Sequence, residues 1–321
     1  MTAGTRSIAL GMGLMDFPFS GAPVFWRWID MCEQGGIDSI WQTDRLVSRH
    51  AMLECMTALA AIAGRTRRVK FGVNVVSLAM REPVLLAKQC ATVDFLSNGR
   101  LLPGFGIGSP LAPEWQALNL DTKIRGRVTD ECLEIIHRLW HQETVDFEGR
   151  HFKLAGVSIA PRPVQPDLPM WIGGSTDAAV RRTARYGTGW QGGQETAAEA
   201  GDVVRRIKLA LTETGRQIDE DHYGAAFAFR FGAPDDPPVV RLMEAYRKRT
   251  GRDPRERFAV GGAPEILARL TEFVDAGISK FILRPAAEGD EDFLAQSKRL
   301  IEEILPAVAS RWPRPRRQAA A

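Results

Sequence analysis

The sequence predicts a parallel α/β fold of eight strand–helix units, the count of a (β/α)8 TIM barrel. Three observations carry this. The first is a contiguous strand, helix and strand: β-branched apolar residues at Lys70–Val76, apolar residues at helical spacing over Glu82–Leu96, and a second apolar run at Leu101–Ile107. Pro83 in the first turn and Gly99 just past the last frame the helix. Parallel βαβ units bind ligands beyond the carboxyl ends of their strands, where Asn74, Ser77 and Ser109 stand. The second observation is that the same pattern recurs along the chain. The third is size: 321 residues, 45% apolar and 25% charged, suit one globular barrel domain over 1–321, since such a barrel takes roughly 250 residues plus insertions.

Taken in order, Ile8–Met12 is the first strand and Pro23–Glu33 its helix, closed by Gly35-Gly36. Ser39–Trp41 is a short second strand, followed by a loop and a helix near Leu53–Ala63. The βαβ unit supplies strands three and four, and the fourth helix runs near Arg127–Trp140. Val145–Phe152 alternates around a Glu-Gly turn as a small hairpin, and the proline-rich APRPVQPDLP is a connector without helical period. Met170–Ile172 is strand five, Ala178–Tyr186 its helix, Gly189–Gln191 strand six, Glu199–Thr214 its helix and Tyr223–Phe231 strand seven. Pro264–Ala276 is helix seven, Lys280–Leu283 strand eight and Asp292–Ser310 the last helix. Between strand seven and helix seven, about 232–260 reads as an insertion rich in proline and charge, with an exposed helix over Val239–Arg249. Long insertions at a barrel's strand ends serve as substrate loops or oligomer contacts. The tail from about 311 to 321, RWPRPRRQAAA, reads as a flexible basic end.

Composition narrows the function classes. A formal charge of +3 is too small and too scattered for nucleic acid. No apolar run approaches the about 18 residues of a membrane span, and MTAGTRSIALGMGLMDF lacks the parts of a signal peptide, so a cytoplasmic protein is expected. Cys32, Cys55, Cys90 and Cys132 are far apart, each in a helical segment, and read as small buried residues rather than ligands or disulfides. His137 and His141 share a helix face without the Glu of a metalloprotease motif, and Ile8–Met12 has no His-x-His; no metal is expected.

The stretches REPVLLAKQCATVDFLSNGRLLPGFGIGS, EQGGIDSIWQTDRL and PEILARLTEFVDAGISKFILRP together span nearly the whole chain. They resemble the luciferase-like flavin-dependent oxidoreductases. The resemblance implies a (β/α)8 barrel holding FMN, or the deazaflavin F420, in its mouth, and four loops then hold the candidate site. The first is Trp41-Gln42-Thr43-Asp44-Arg45, where many relatives carry a histidine at the flavin edge and this chain has Arg45. Arginine is no general base, but it can stabilise an anionic flavin or substrate; the alternative is an Asp44–Arg45 surface pair. In the second loop, Asn74–Val75 falls where deazaflavin-dependent relatives have a non-proline cis peptide against the ring; otherwise Asn74 is a strand-end turn residue. The third contains Gly106, Gly108 and Ser109, with glycines that admit close approach of the ring. Some sugar-phosphate dehydrogenases of the family place a catalytic glutamate near position 109, and serine there argues against copying their mechanism.

The fourth loop is Gly173-Gly174-Ser175-Thr176, a strand-to-helix junction suited to a phosphate, helped in FMN-binding relatives by an arginine that Arg127 matches. Its alternative is a Ser or Thr N-cap with no ligand. Gly192-Gly193-Gln194 and Arg284 can reach the same anion or a longer tail. The expected function is therefore a monooxygenase using reduced FMN and O2 on a small organic substrate. Its alternatives are an F420-dependent dehydrogenase or reductase acting by hydride transfer, and a non-catalytic barrel. A homo-oligomer, a dimer as in the family, and a separate flavin reductase as partner complete the expectation.

Overall fold

The computed structural model describes residues 7–313; residues 1–6 of the leader and 314–321 of the basic tail lie outside it. Its strands form one curled, parallel α/β sheet. They are β1 (Ala9–Gly13), β2 (Ser39–Gln42), β3 (Lys70–Val73, resuming at Val76–Ser77) and β4 (Leu101–Leu102, resuming at Gly104–Gly106). They continue as β5 (Trp171–Gly173), β6 (Gly189–Gln191), β7 (Tyr223–Phe231) and β8 (Lys280–Pro285). Each pairs in parallel with the next, and β8 pairs with β1 through Ala9↔Lys280. This is the order of the predicted barrel.

The helices between them are α1 (Ala22–Gln34), α2 (Cys55–Arg65), α3 (Pro83–Ser97), α4 (Arg125–His141), α5 (Asp177–Tyr186), α6 (Ala197–Thr214) and α7 (Ala263–Asp275). Their apolar faces close over the strands in one large core cluster. A second, smaller cluster of Trp41, Leu102, Trp171, Ala226 and Ile282 comes from strand residues alone and fills the barrel interior. The two tryptophans there meet edge to face at 6.0 Å. Glycine at 72 and 189 leaves them room, since a Cβ at either position would lie 2.8 Å from a tryptophan ring.

Four details depart from expectation. The third strand is interrupted at Asn74–Val75 and the fourth at Pro103, which has no N–H to give to a ladder. The hairpin is longer than its turn suggests, pairing Val145–Glu148 with Lys153–Val157. The last helix runs from Gly289 to Arg311, but through a π-helical turn at Leu300–Ile304 ahead of Pro306. The segment at 232–260 holds the expected helix, at Pro237–Thr250, and an unforeseen strand, Phe258–Gly261. That strand pairs with the overhanging end of β7, from Ala228↔Phe258 to Phe231↔Gly261. All four cysteines are buried free thiols, and burial pushes each upward in pKa, Cys132 to about 12. Among the described residues no helix is long and apolar enough to cross a membrane.

Candidate active site at the carboxyl ends of the strands

The loops that follow the strands share one face of the sheet, and Val75 sits at their centre. The Asn74–Val75 peptide is cis, as the resemblance implies. A Cβ built on Gly106 would fall 2.6 Å from Val75 Cγ2, and one on Gly173 would fall 2.9 Å from Cγ1. Glycine at these positions is therefore a steric requirement of the Val75 side chain. Two cavities open on this face. One, about 210 Å³, is bordered by Thr43, Asp44, Arg45, Val75, Ser109 and Glu114. The other, about 670 Å³, lies between the ends of β1, β6, β7 and β8 and the 237–250 helix.

Charges around the smaller cavity are matched. Asp44, with a side chain only 3% exposed, accepts from Arg81 Nη2 at 2.5 Å and from the Ser77 amide at 3.0 Å. Arg81 also donates to Glu54 at 2.8 Å, and Glu54 caps α2 by accepting from the Thr57 amide at 2.7 Å. Burial alone would raise the Glu54 carboxyl, but the Thr57 amide and Arg81 outweigh it and hold it at about 2. The network ties the end of β2 to the end of β3 and to α2. Asp44, expected beside Arg45 among the catalytic residues, uses its charge to hold these strand ends together at the border of the cavity. Arg45 does not pair with Asp44: its Nη1 lies 3.4 Å from Glu114 Oε2. Glu114 is 3% exposed and also accepts from the amides of Leu46 and Val47, at 3.2 and 3.4 Å, fixing the loop that carries Arg45.

The strand-to-helix junction after β5 carries the residues expected to hold a phosphate. Gly174 has φ +105°, a conformation that disfavours side chains, and Thr176 Oγ1 caps α5 by accepting from Ala179 N at 3.3 Å. The cap leaves the Thr176 hydroxyl proton free to donate, and the first amides of α5 have no partner within the helix. Arg182 bridges to the neighbouring helix start, reaching the Gly126 carbonyl at 3.1 Å and Asp130 at 2.6 Å. It ties the first turn of α4, which carries exposed Arg127, to α5. The Ser175 carbonyl is held by Arg206 at 3.1 Å and the Gly174 carbonyl by Trp190 at 2.8 Å, so the loop is braced from behind.

The larger cavity differs in charge. Arg284, at the end of β8, lines it, and no hydrogen-bond or ion-pair partner is found for its buried Nε among the described residues. Burial, and then the neighbouring Arg257 and Arg249, push Arg284 down to about 10, so it is still a cation at neutral pH. Arg257 donates to the carbonyls of Gly193, Glu195 and Ala226, which leaves its Nε unpartnered. Arg241 is compensated by Glu288 at 2.8 Å.

Of the residues singled out from sequence, Asp44, Arg45, Val75, Gly108 and Ser109 border one cavity, with Gly106 and Gly173 beneath Val75. Asn74 is half-buried beside them, its amide bound to the Gln42 carbonyl at 2.9 Å. Gly174, Ser175 and Thr176 form the turn into α5, Arg127 is exposed in the first turn of α4, and Arg284 belongs to the larger cavity. Trp41 is a correction: expected at the cavity edge, it is 1% exposed in the barrel interior, its Nε1 bound to Ser39 Oγ at 2.9 Å. The strand continues to Gln42, so position 41 still alternates inward. Sequence reasoning missed Arg81, Glu54, Arg257 and Tyr246, and gave Glu114 no role. Their partners are far away in sequence; the charge-rich insertion was the available signal for Tyr246 and Arg257.

Residues 25–258 match the model of the luciferase-like monooxygenase family. An F420-dependent glucose-6-phosphate dehydrogenase of Amycolatopsis mediterranei is 28% identical over 86% of this chain and 91% of its own length. A second protein of that name, from Kineococcus radiotolerans, is 26% identical over 82% and 87%. Among solved structures, the monooxygenase RslO1 of Streptomyces bottropensis superposes with TM-score 0.82 at 21% identity, covering 94% of this chain and 99% of its own. An F420-dependent secondary alcohol dehydrogenase superposes with TM-score 0.80 at 18% identity, covering 95% and 99%. The chain belongs to the luciferase-like monooxygenase family, a family of flavin-type oxidoreductase enzymes.

Proposed function

We propose that this chain is an F420-dependent oxidoreductase that transfers a hydride to or from a small organic substrate, in preference to the FMN monooxygenase first expected. The observation that carries it is the near full-length similarity to proteins named as F420-dependent dehydrogenases, over 86% of this chain. The cradle after β5 does not separate the two cofactors, because both carry a phosphate on the side chain of the ring. The residues are compatible with either ring: Gly106 and Gly173 leave the space that Val75 fills at the cavity edge, and the first amides of α5 are free to meet a phosphate. Asn74, Val75, Gly106, Gly108 and Ser109 would border the ring, and Gly174, Ser175, Thr176 and Arg127 would hold the phosphate. When bound, the deazaflavin supplies a carbon that takes or gives a hydride.

The protein's part is orientation and charge. Arg45 presents a guanidinium, half-exposed and backed by Glu114, at the edge of the smaller cavity. It can polarise a substrate oxygen but, staying protonated, cannot remove its proton. Ser109 stands where some sugar-phosphate dehydrogenases of the family carry a glutamate, so the substrate and its acid–base group differ from theirs. The test is direct. F420 and FMN are titrated separately against the purified chain by fluorescence, and F420 is expected to bind at least about tenfold more tightly. Tighter FMN binding together with O2-dependent turnover would overturn the proposal.

A further inference from the structure

The larger cavity carries a feature that hydride transfer alone does not require. Three buried polar atoms on its lining residues have no hydrogen-bond partner among the described residues: Arg284 Nε, Arg257 Nε and the Tyr246 hydroxyl. Arg257 is 6% exposed and Tyr246 7%, so water does not supply the missing bonds freely. Buried donors left unmatched are costly, and their convergence on one cavity is the signature of a ligand. The lining includes one carboxylate, Asp16, and it is exposed at the rim. Gln194, Arg241 and Arg249 add polar groups, and the rest of the wall is mostly apolar, with Leu14, Phe227, Leu242, Phe258 and Phe293.

We propose that this cavity is the substrate subsite for an organic acid with an apolar body, its acid group held by Arg284 with Arg257 and the Tyr246 hydroxyl. The inference rests on reading this face as the oxidoreductase site and names the class of molecule it takes. Two guanidinium groups and a phenol supply directed donors and no strong acceptor, which suits a carboxylate or phosphate oxygen. The apolar stretch of wall favours an apolar body over a sugar, because hydroxyls set against Leu14, Phe227, Leu242, Phe258 and Phe293 would find no partner there. Tyr246 belongs to the helix Pro237–Thr250, so the segment that the sequence reads as an insertion supplies specificity.

The experiment compares short- and medium-chain carboxylates with the corresponding primary alcohols and with glucose 6-phosphate. Each is titrated calorimetrically into the purified chain, with and without F420. The acids are expected to bind at least about tenfold more tightly than their alcohols. Arg284→Gln should weaken the acids roughly ten- to a hundredfold and leave F420 affinity unchanged. Tyr246→Phe, which keeps the ring, should weaken them about threefold or more and serves if Arg284→Gln does not fold. Acids that bind no better than alcohols, or glucose 6-phosphate binding more tightly than every acid, would overturn the inference. So would a loss of F420 affinity in Arg284→Gln with acid binding intact, since Arg284 would then hold a cofactor tail. Failure of F420 to bind at all, with acid selectivity present, would sink the cofactor proposal and leave this one standing.

Discussion

The two sides of the barrel mouth treat charge in opposite ways. Beside β2 and β3 every buried charge has a partner: Asp44 with Arg81, Arg81 with Glu54, and Glu114 with Arg45. Beside β7 and β8, Arg284 and Arg257 face a cavity whose one lining carboxylate, Asp16, is exposed at the rim, and neither forms an ion pair among the described residues. Desolvating a cation without compensation is expensive, so a fold keeps it only where something else supplies the counter-charge. The paired side is the frame that fixes loop positions. The unpaired side is where an incoming molecule completes the electrostatics. Position in the mouth is the same for both; satisfaction of the buried groups is what tells them apart.

Breaking the frame should have the largest effect. Asp44→Asn removes the charge that compensates Arg81 at a site only 3% exposed. Leaving one member of a buried ion pair typically costs about 3–5 kcal/mol. Urea unfolding is expected to show a loss of that order, and Asp44→Asn combined with Arg81→Met should recover a substantial part of it. A loss below about 1 kcal/mol would mean that the pair is solvated in practice, and the contrast between the two sides would collapse.

How far sequence reached follows the same division. The alternation and helical periods gave the eight units because they are local, and Gly189–Gln191 and Tyr223–Phe231 agree with the structure to the residue. The Gly-Gly-Ser-Thr junction was equally legible, since a helix start is also a local feature. Gly106 was read as room for a ring and Gly173 as part of a phosphate loop, whereas both make room for Val75. The alternative pairing of Arg45 with Asp44 gives way to Glu114, which lies 69 residues away, and no short-range pattern records such a pairing. The strand at Phe258–Gly261 was missed for a related reason: it exists because β7 overhangs its neighbour, a property of the assembled sheet.

A substitution on the open side should move stability the other way. Arg284→Met keeps much of the length of the side chain and removes a cation pushed down in pKa by burial and by Arg257 and Arg249. Stability without ligand is expected to rise by about 0.5–2 kcal/mol, measured by the same urea transitions, while affinity for organic acids falls. Gain of stability with loss of binding is the mark of a residue kept for its ligand. A loss as large as that of Asp44→Asn would instead make Arg284 part of the frame.

Arg45 stands between the two regimes, and its substitution should produce the smallest change. It is paired, but its side chain is 42% exposed and its contact with Glu114 is long at 3.4 Å. Exposed pairs of this kind contribute about 0–1 kcal/mol, so Arg45→Ala should shift the unfolding midpoint little. Its effect on turnover is limited as well, because Glu114 already offsets part of the positive charge that a substrate oxygen would feel. An electrostatic group acting without such a counter-ion commonly contributes about 3–4 kcal/mol to a rate. Arg45→Ala is expected to stay well below that, near tenfold in turnover at most. Arg45→His distinguishes the remaining possibilities: it offers a base at the position where relatives of this family carry one. Faster turnover with alcohol substrates, rising with pH through the imidazole range, would show that proton removal limits the native enzyme. A fall as large as a hundredfold in both variants would show that Glu114 does not mute Arg45, and that the paired side of the mouth takes a direct part in the chemistry.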